Sequence, residues 1–354
     1  MKTILANHRT FIPEIDQLRL LAIFGVVVNH LGMTKILSDL PYLSYTTSPI
    51  LAIISGFLLF RGLDSYSHLW KKIHQRSTTL LIPYIVWTLL YFIFYQGSKM
   101  ILIRLGLNYP GLLSDEVYRW SLQAYFINFF LGPVPGAFWY LQNLIVALPL
   151  CFGFLPIVRY RYALIPILIL IFTLYLMGIP LYFSDRFLPF FIFGLWLGIH
   201  FPEGLPLSPY PTRVLLGTAL LCLATSRIIN LENNALESLI KFPMRIVAFW
   251  ALFLALRKAQ SSNWVAYLKA KTHVSFFLHA AHQMVFMSLG GGILLVARAF
   301  KFALPFGQAI ELILAILILG SSFSIIEGAK RFIAYYAPWL STILNGTRHR
   351  ESPS

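Results

Sequence analysis

Two residues near the start of the chain combine the chemistry of a reaction centre with the surroundings of a membrane span. In "IPEIDQLRLLAIFGVVVNHLG", residues 12–32, Arg19 and His30 stand eleven positions apart in an apolar run. A guanidinium carries a permanent charge that pairs with phosphate or carboxylate. An imidazole, with a reference pKa of about 6.5, can accept or release a proton near neutral pH. In a helix, eleven residues turn through about 1100°, three turns plus roughly 20°, so the two share one face about 16 Å apart along the axis. Asp16, three residues before Arg19, joins that face if the helix starts early. Each residue also has a plainer explanation. An arginine at a helix end snorkels to the headgroups, and a histidine in a span can hydrogen-bond a neighbouring helix. The spacing does not choose between these, because Lys271 and His282 repeat it.

The elements that must hold such residues are set by composition. The 354 residues are 58% hydrophobic and 12% charged, with a mean hydropathy of +0.72. A soluble domain cannot cover its surface with so little charge, so the chain reads as a polytopic, all-α membrane bundle. Apolar runs of spanning length number about ten. They are residues 18–36, 46–60, 78–97, 137–158, 162–179, 186–201, 212–229, 243–257, 273–296 and 306–327. The first is not followed by a small-residue cleavage pattern and is expected to be retained. No internal repeat or linker divides the chain. Residues 1–340 are expected to form one membrane domain, and 341–354, ending "NGTRHRESPS", a polar, disordered cytoplasmic tail.

The formal charge of +15 does not point to nucleic acid, because the basic residues are scattered between apolar runs and form no arm or stripe. Topology accounts for them. With both termini in the cytoplasm, most Lys and Arg fall in cytoplasmic segments, although the outer loop 98–120 carries Lys99, Arg104 and Arg119. That loop ends in "SDEVYRWSLQAYFINFFLGP", which suits a helix lying on or dipping into the membrane. Cys151 and Cys222 both sit in apolar runs as small hydrophobes. His279 and His282, three apart, would make a three-histidine set with His30, but no carboxylate or cysteine accompanies them, and no metal site is expected.

The segment "EIDQLRLLAIFGVVVNH" at the head of a chain with about ten spans resembles the signature of the acyltransferase-3 family of membrane acyltransferases. That family's first helix carries an acidic-X-X-Arg start and an Arg-X10-His pair, matched here by Asp16, Arg19 and His30. Further stretches follow in the family's order: "ISGFLLFRG" (54–62), "HQRSTTLLIPY" (74–84), "GAFWYLQNLI" (136–145), "FLPFFIFGLWLG" (187–198) and "HVSFFLHAAH" (273–282). Two departures stand out. Ala137 occupies a place where members often have histidine, and His279 one where they usually have an aromatic, while His282 matches the family's common histidine.

The resemblance implies an integral membrane O-acyltransferase of the cytoplasmic (inner) membrane. It would move an acyl group, acetyl by family habit, from cytosolic acetyl-CoA or another acyl-CoA to a hydroxyl of a cell-surface glycan, glycolipid or similar acceptor. His30 would be the general base or, alternatively, an acyl-carrying nucleophile. Arg19 would bind a coenzyme A phosphate or organise the entrance, with Asp16 orienting it. Lys72, Arg76 and Lys271, with Lys71 and Lys269, are candidates for the nucleotide phosphates, though cytoplasmic loops are basic whatever their function. His282 is a candidate for substrate contact or proton relay. Trp139 and Tyr140 would stack on sugar or anchor at the membrane interface, and Ser55 and Gly56 suit close helix packing. Some members carry an added extracytoplasmic hydrolase-like domain, and this chain ends too soon after its last span to hold one. The rival from another class is a transporter or flippase of lipid-linked glycans, since buried Arg and His also suit a substrate pathway.

Overall fold

A computed structural model describes residues 12–30, 42–104, 123–124, 138–179, 181, 183, 187–229, 234–282, 284–285, 288–289 and 308–345. All regular structure among them is helical. The described helices are α1 (Pro13–His30), α2 (Tyr42–Phe60), α3 (Tyr66–Arg104), α4 (Trp139–Val158), α5 (Leu164–Leu176), α6 (Leu188–His200), α7 (Thr212–Ile228), α8 (Asn234–Lys258), α9 (Asn263–Lys271), α10 (275–282), α11 (Gln308–Tyr336) and α12 (Pro338–Asn345). Among the described residues, three segments are long and apolar enough to cross a membrane: Tyr66–Ser98, Trp139–Val158 and Leu236–Lys258. Thr47–Phe60, Leu164–Leu176, Leu188–His200 and Thr212–Thr225 form shorter apolar helices.

Helix boundaries depart from the apolar runs where polar residues carry a helix beyond the hydrocarbon. α1 begins at Pro13, not residue 18, because a proline at the first turn and the acidic Glu14 and Asp16 both favour a helix start. α3 begins far ahead of residue 78: the Ser65 hydroxyl accepts the His68 amide as an N-cap at 3.3 Å. The polar stretch carrying Lys71, Lys72, His74 and Arg76 then continues as the first turns of one 39-residue helix. The run expected at 273–296 opens on a 3₁₀ turn at Thr272–Val274 and continues as α10 from residue 275, and much of it lies outside the described residues.

The chain divides into two compact units. The first contains the described parts of Met1–Ala22, Pro49–Asp64 and Pro156–His273. Within it, the backbones of α2 and α6 approach closely. A Cβ at Gly56 would fall inside the Phe191 carbonyl, one at Gly194 inside the Ile53 carbonyl, and one at Gly198 inside the Phe57 carbonyl. Only glycine lets these two backbones approach so closely, which is the small-residue packing expected of helices in lipid. Phe183, Phe187 and Phe191 stack in series at 5.9 and 5.3 Å between ring centres, and Phe190 meets Phe242 at 4.8 Å.

The connection from α6 to α7 carries Pro202, Pro206, Pro209 and Pro211, which supply no N–H to pair its carbonyls. Three basic side chains take over. Arg61 donates to the Pro202 carbonyl, Arg257 to that of Leu205, and Lys258 to that of Tyr210. Gly204, at φ +89°, makes the turn between the first two.

The second unit contains the described parts of Ile23–Ser48, Ser65–Leu155 and Val274–Ser354. Aromatic side chains of α3 hold it together. Tyr84 and Tyr91 meet Phe138 edge-on at 6.0 and 5.1 Å, and Trp87 meets Phe277 at 5.2 Å. Both polar tips are satisfied on backbone: Tyr91 Oη donates to the Ala280 carbonyl at 2.9 Å and Trp87 Nε1 to that of Leu344 at 3.0 Å.

Candidate functional site

Local sequence builds the first half of the candidate centre. One continuous helix, α1, carries Asp16, Arg19 and His30. Because the helix starts at Pro13, Asp16 and Arg19 fall one turn apart, and Asp16 Oδ1 meets Arg19 Nη2 at 2.8 Å. Both are partly exposed, with 36% of the Arg19 side chain accessible and 25% of Asp16. Arg19 Nε, by contrast, is buried and meets no acceptor among the described residues. The pair therefore holds the guanidinium by one edge while part of the side chain stays accessible. The helix reaches His30, whose side chain lies outside the described residues.

Lys271 belongs to the same unit as Asp16 and Arg19. It sits at the end of α9 with its ammonium 5.9 Å from the Tyr267 ring centre, a cation–π contact one turn back. Arg61, Arg257 and Lys258, which the sequence marks only as cytoplasmic positive charge, are committed to backbone carbonyls of the 201–211 connection. No sequence pattern announces this, because the partners are main-chain atoms.

The second unit holds the remaining candidates: Lys72, Arg76, Trp139, Tyr140 and His282. Lys72 and Arg76 are one turn apart on α3, with Lys72 only 8% exposed and Arg76 exposed. Tyr140 and His282 come together through His279. The Tyr140 ring meets His279 edge-on at 6.3 Å, and His279 meets His282 at 6.1 Å. All three are buried, His282 completely. His282 Nδ1 lies 2.7 Å from the His279 carbonyl oxygen. A carbonyl can only accept, so Nδ1 carries the hydrogen. Trp139 packs on Tyr140 at 6.2 Å and is less buried.

A further charged set went unrecognised because it starts ahead of the apolar run at residue 243. Glu237, Lys241 and Arg245 recur at four-residue intervals on one face of α8. Lys241 pairs with Glu237, and Arg245 lies 5.7 Å from the Phe190 ring centre. Lys241 and Arg245 are 2% and 3% exposed. The spacing in "ESLIKFPMR" was the available signal. Among the described residues, no three His, Cys, Asp or Glu side chains are grouped to hold a metal ion.

Compared with known proteins, residues 12–327 match the family model described as an acyltransferase domain. The chain is also 27% identical over 104 residues to the succinoglycan biosynthesis protein ExoH of Rhizobium meliloti (strain 1021). That match covers 28% of this chain and 26% of the relative, so the chain spans about a quarter of the relative's length. No solved structure matches it.

Proposed function

The chain belongs to the acyltransferase family whose model matches residues 12–327, and on that premise we propose that it transfers an acyl group, acetyl in the first instance, from cytosolic acyl-CoA to a hydroxyl of an envelope polysaccharide. The observation that carries this reading is the charged start of α1: Asp16 holds Arg19 by one edge, and the same helix continues to His30. Arg19, braced but partly open, suits a phosphate of the donor. The polysaccharide acceptor is supported by the limited likeness to a succinoglycan biosynthesis protein.

The reaction has one demanding step. As the acceptor oxygen attacks the thioester carbonyl carbon, its proton must leave, and His30 takes it. The C–S bond then breaks, and the departing sulfur takes the proton from His30, giving the ester and free coenzyme A. An acyl-histidine route would divide the same transfer into two displacements at that carbon. Tyr140 and His282 are assigned to the acceptor, with His282 Nε2 as the atom that takes a hydroxyl hydrogen bond. Trp139 offers an adjacent ring for a sugar face. Lys72, Arg76 and Lys271 are assigned to the remaining donor phosphates. The protein sits in the cytoplasmic membrane with about ten spans and both termini inside.

The test is transfer of label from acetyl-CoA to envelope glycans in membranes containing wild type, His30→Ala or Arg19→Ala at matched expression. Label should appear with wild type and fall at least about a hundredfold in His30→Ala, the scale of a lost general base. Undiminished transfer in His30→Ala removes His30 from the chemistry. Absence of wild-type transfer from any acyl-CoA, with glycan movement across vesicles retained, supports a transporter instead.

A further inference from the structure

A buried amide pair stands directly behind the Asp16–Arg19 face. Gln17 is completely buried on α1. Its Oε1 accepts from Gln260 Nε2 at 3.0 Å, and its Nε2 approaches Gln260 Oε1 at 3.4 Å and the Val265 carbonyl at 3.5 Å. Gln260 Nε2 also donates to the Leu256 carbonyl at 2.9 Å. That last bond fixes the orientation of the Gln260 amide, since a reversed amide would set oxygen against oxygen. The Gln17 oxygen must then face the Gln260 nitrogen. All four residues lie in the first unit.

The pair joins segments 243 residues apart in sequence. Gln260 occupies the turn between α8, which ends in Arg257 and Lys258, and α9, which ends in Lys269 and Lys271. Gln17 precedes Arg19 by two residues, about 200° around the helix, so the amide grips α1 from the side opposite its guanidinium. The neighbours Ile15, Leu18, Leu20 and Ala22 are buried and apolar. Apolar contacts of that kind are nondirectional and leave a helix free to turn or slide by small amounts. A reciprocal amide pair does not, because its bonds exist in one register only and an unpaired buried amide is costly.

We infer that Gln17 and Gln260 are positioning residues for the donor site, setting the angle and depth at which the first turns of α1 present Arg19. The inference rests on the proposed role of Arg19 in holding acyl-CoA. Gln17 lies in the second turn of the helix, where release frees the adjoining helix end more than the turns downstream. Loss of the pair therefore acts on donor binding before it acts on turnover.

The experiment compares wild type, Gln17→Leu, Gln260→Leu and the double variant, purified in detergent, for kcat and KM with acetyl-CoA and for melting temperature. Leucine preserves bulk, but each single variant leaves the other amide buried and unpaired, so the melting temperature should fall in the single variants and recover in the double variant, where both partners are replaced. KM for acetyl-CoA should rise about fivefold to tenfold in each single variant, with kcat changed less than about threefold, as expected for one or two lost hydrogen bonds. The double variant should be no worse than either single variant. KM unchanged in both single variants, kcat falling more than about threefold in either, or effects on KM that multiply in the double variant would each overturn the inference while leaving the acyltransferase reading intact. Absence of wild-type transfer would overturn that reading and this inference with it.

Discussion

Asp16 and Arg19 meet because a proline and two acids start α1 one turn earlier than its apolar run. An ion pair this exposed is worth at most about 1 kcal/mol. Asp16→Asn should therefore raise KM for acetyl-CoA by no more than about fivefold and spare kcat, which initial rates at varied donor concentration will show. His282 makes a different kind of prediction, because its Nδ1 is spent on the His279 carbonyl. Asparagine can keep that donor while removing the second ring nitrogen. If Nε2 engages the acceptor, His282→Asn should fold like wild type yet lose at least about tenfold in kcat/KM for the glycan, with KM for acetyl-CoA unchanged. Equal loss toward both substrates would assign His282 to packing alone.

Between elements, the α2–α6 seam is a tight constraint in the first unit. Adding a methyl at Gly194 or Gly198 drives it into a backbone carbonyl of α2 that no rotamer can move. Gly194→Ala should cost about 1–3 kcal/mol, the range for overpacking a tight interface, and appear as a lower melting temperature and less extractable protein. Gly217 offers the matched control, since it lies in α7 with nothing within 4 Å of its absent Cβ. Gly217→Ala should be neutral or stabilising by up to about 1 kcal/mol, because alanine is the better helix former. The reading of Gly56 as a packing residue is supported by the same seam.

For the whole molecule, the testable quantity is topology. Both termini inside requires that a reporter fluorescent only in the cytosol, fused after residue 354, be bright, and that one inserted between residues 105 and 120 be dark. The reverse pattern would move Arg19 away from the cytosolic donor and end the proposed route. The basic latches on the 201–211 connection also bear on this scale. Arg61, Arg257 and Lys258 count toward positive-inside bias, yet each closes a backbone carbonyl that prolines leave open.

Sequence alone determined what is local or compositional: an all-helical, membrane-suited chain, most helix centres, and the family, whose signature is written in consecutive residues such as Asp16, Arg19 and His30. Helical periodicity sufficed to place those three on one helix. What it left open depends on partners distant in the chain. Tyr140 and His282 were each nominated singly, and only tertiary structure placed His279 between them. Gln17 finds its partner only in the fold, where Gln260, 243 positions away, closes the amide pair. Cations bonded to carbonyls, glycines pressed on backbones and amides paired across helices all rely on main-chain atoms or long-range neighbours. Those have no residue pattern to read, so only the folded chain decides them.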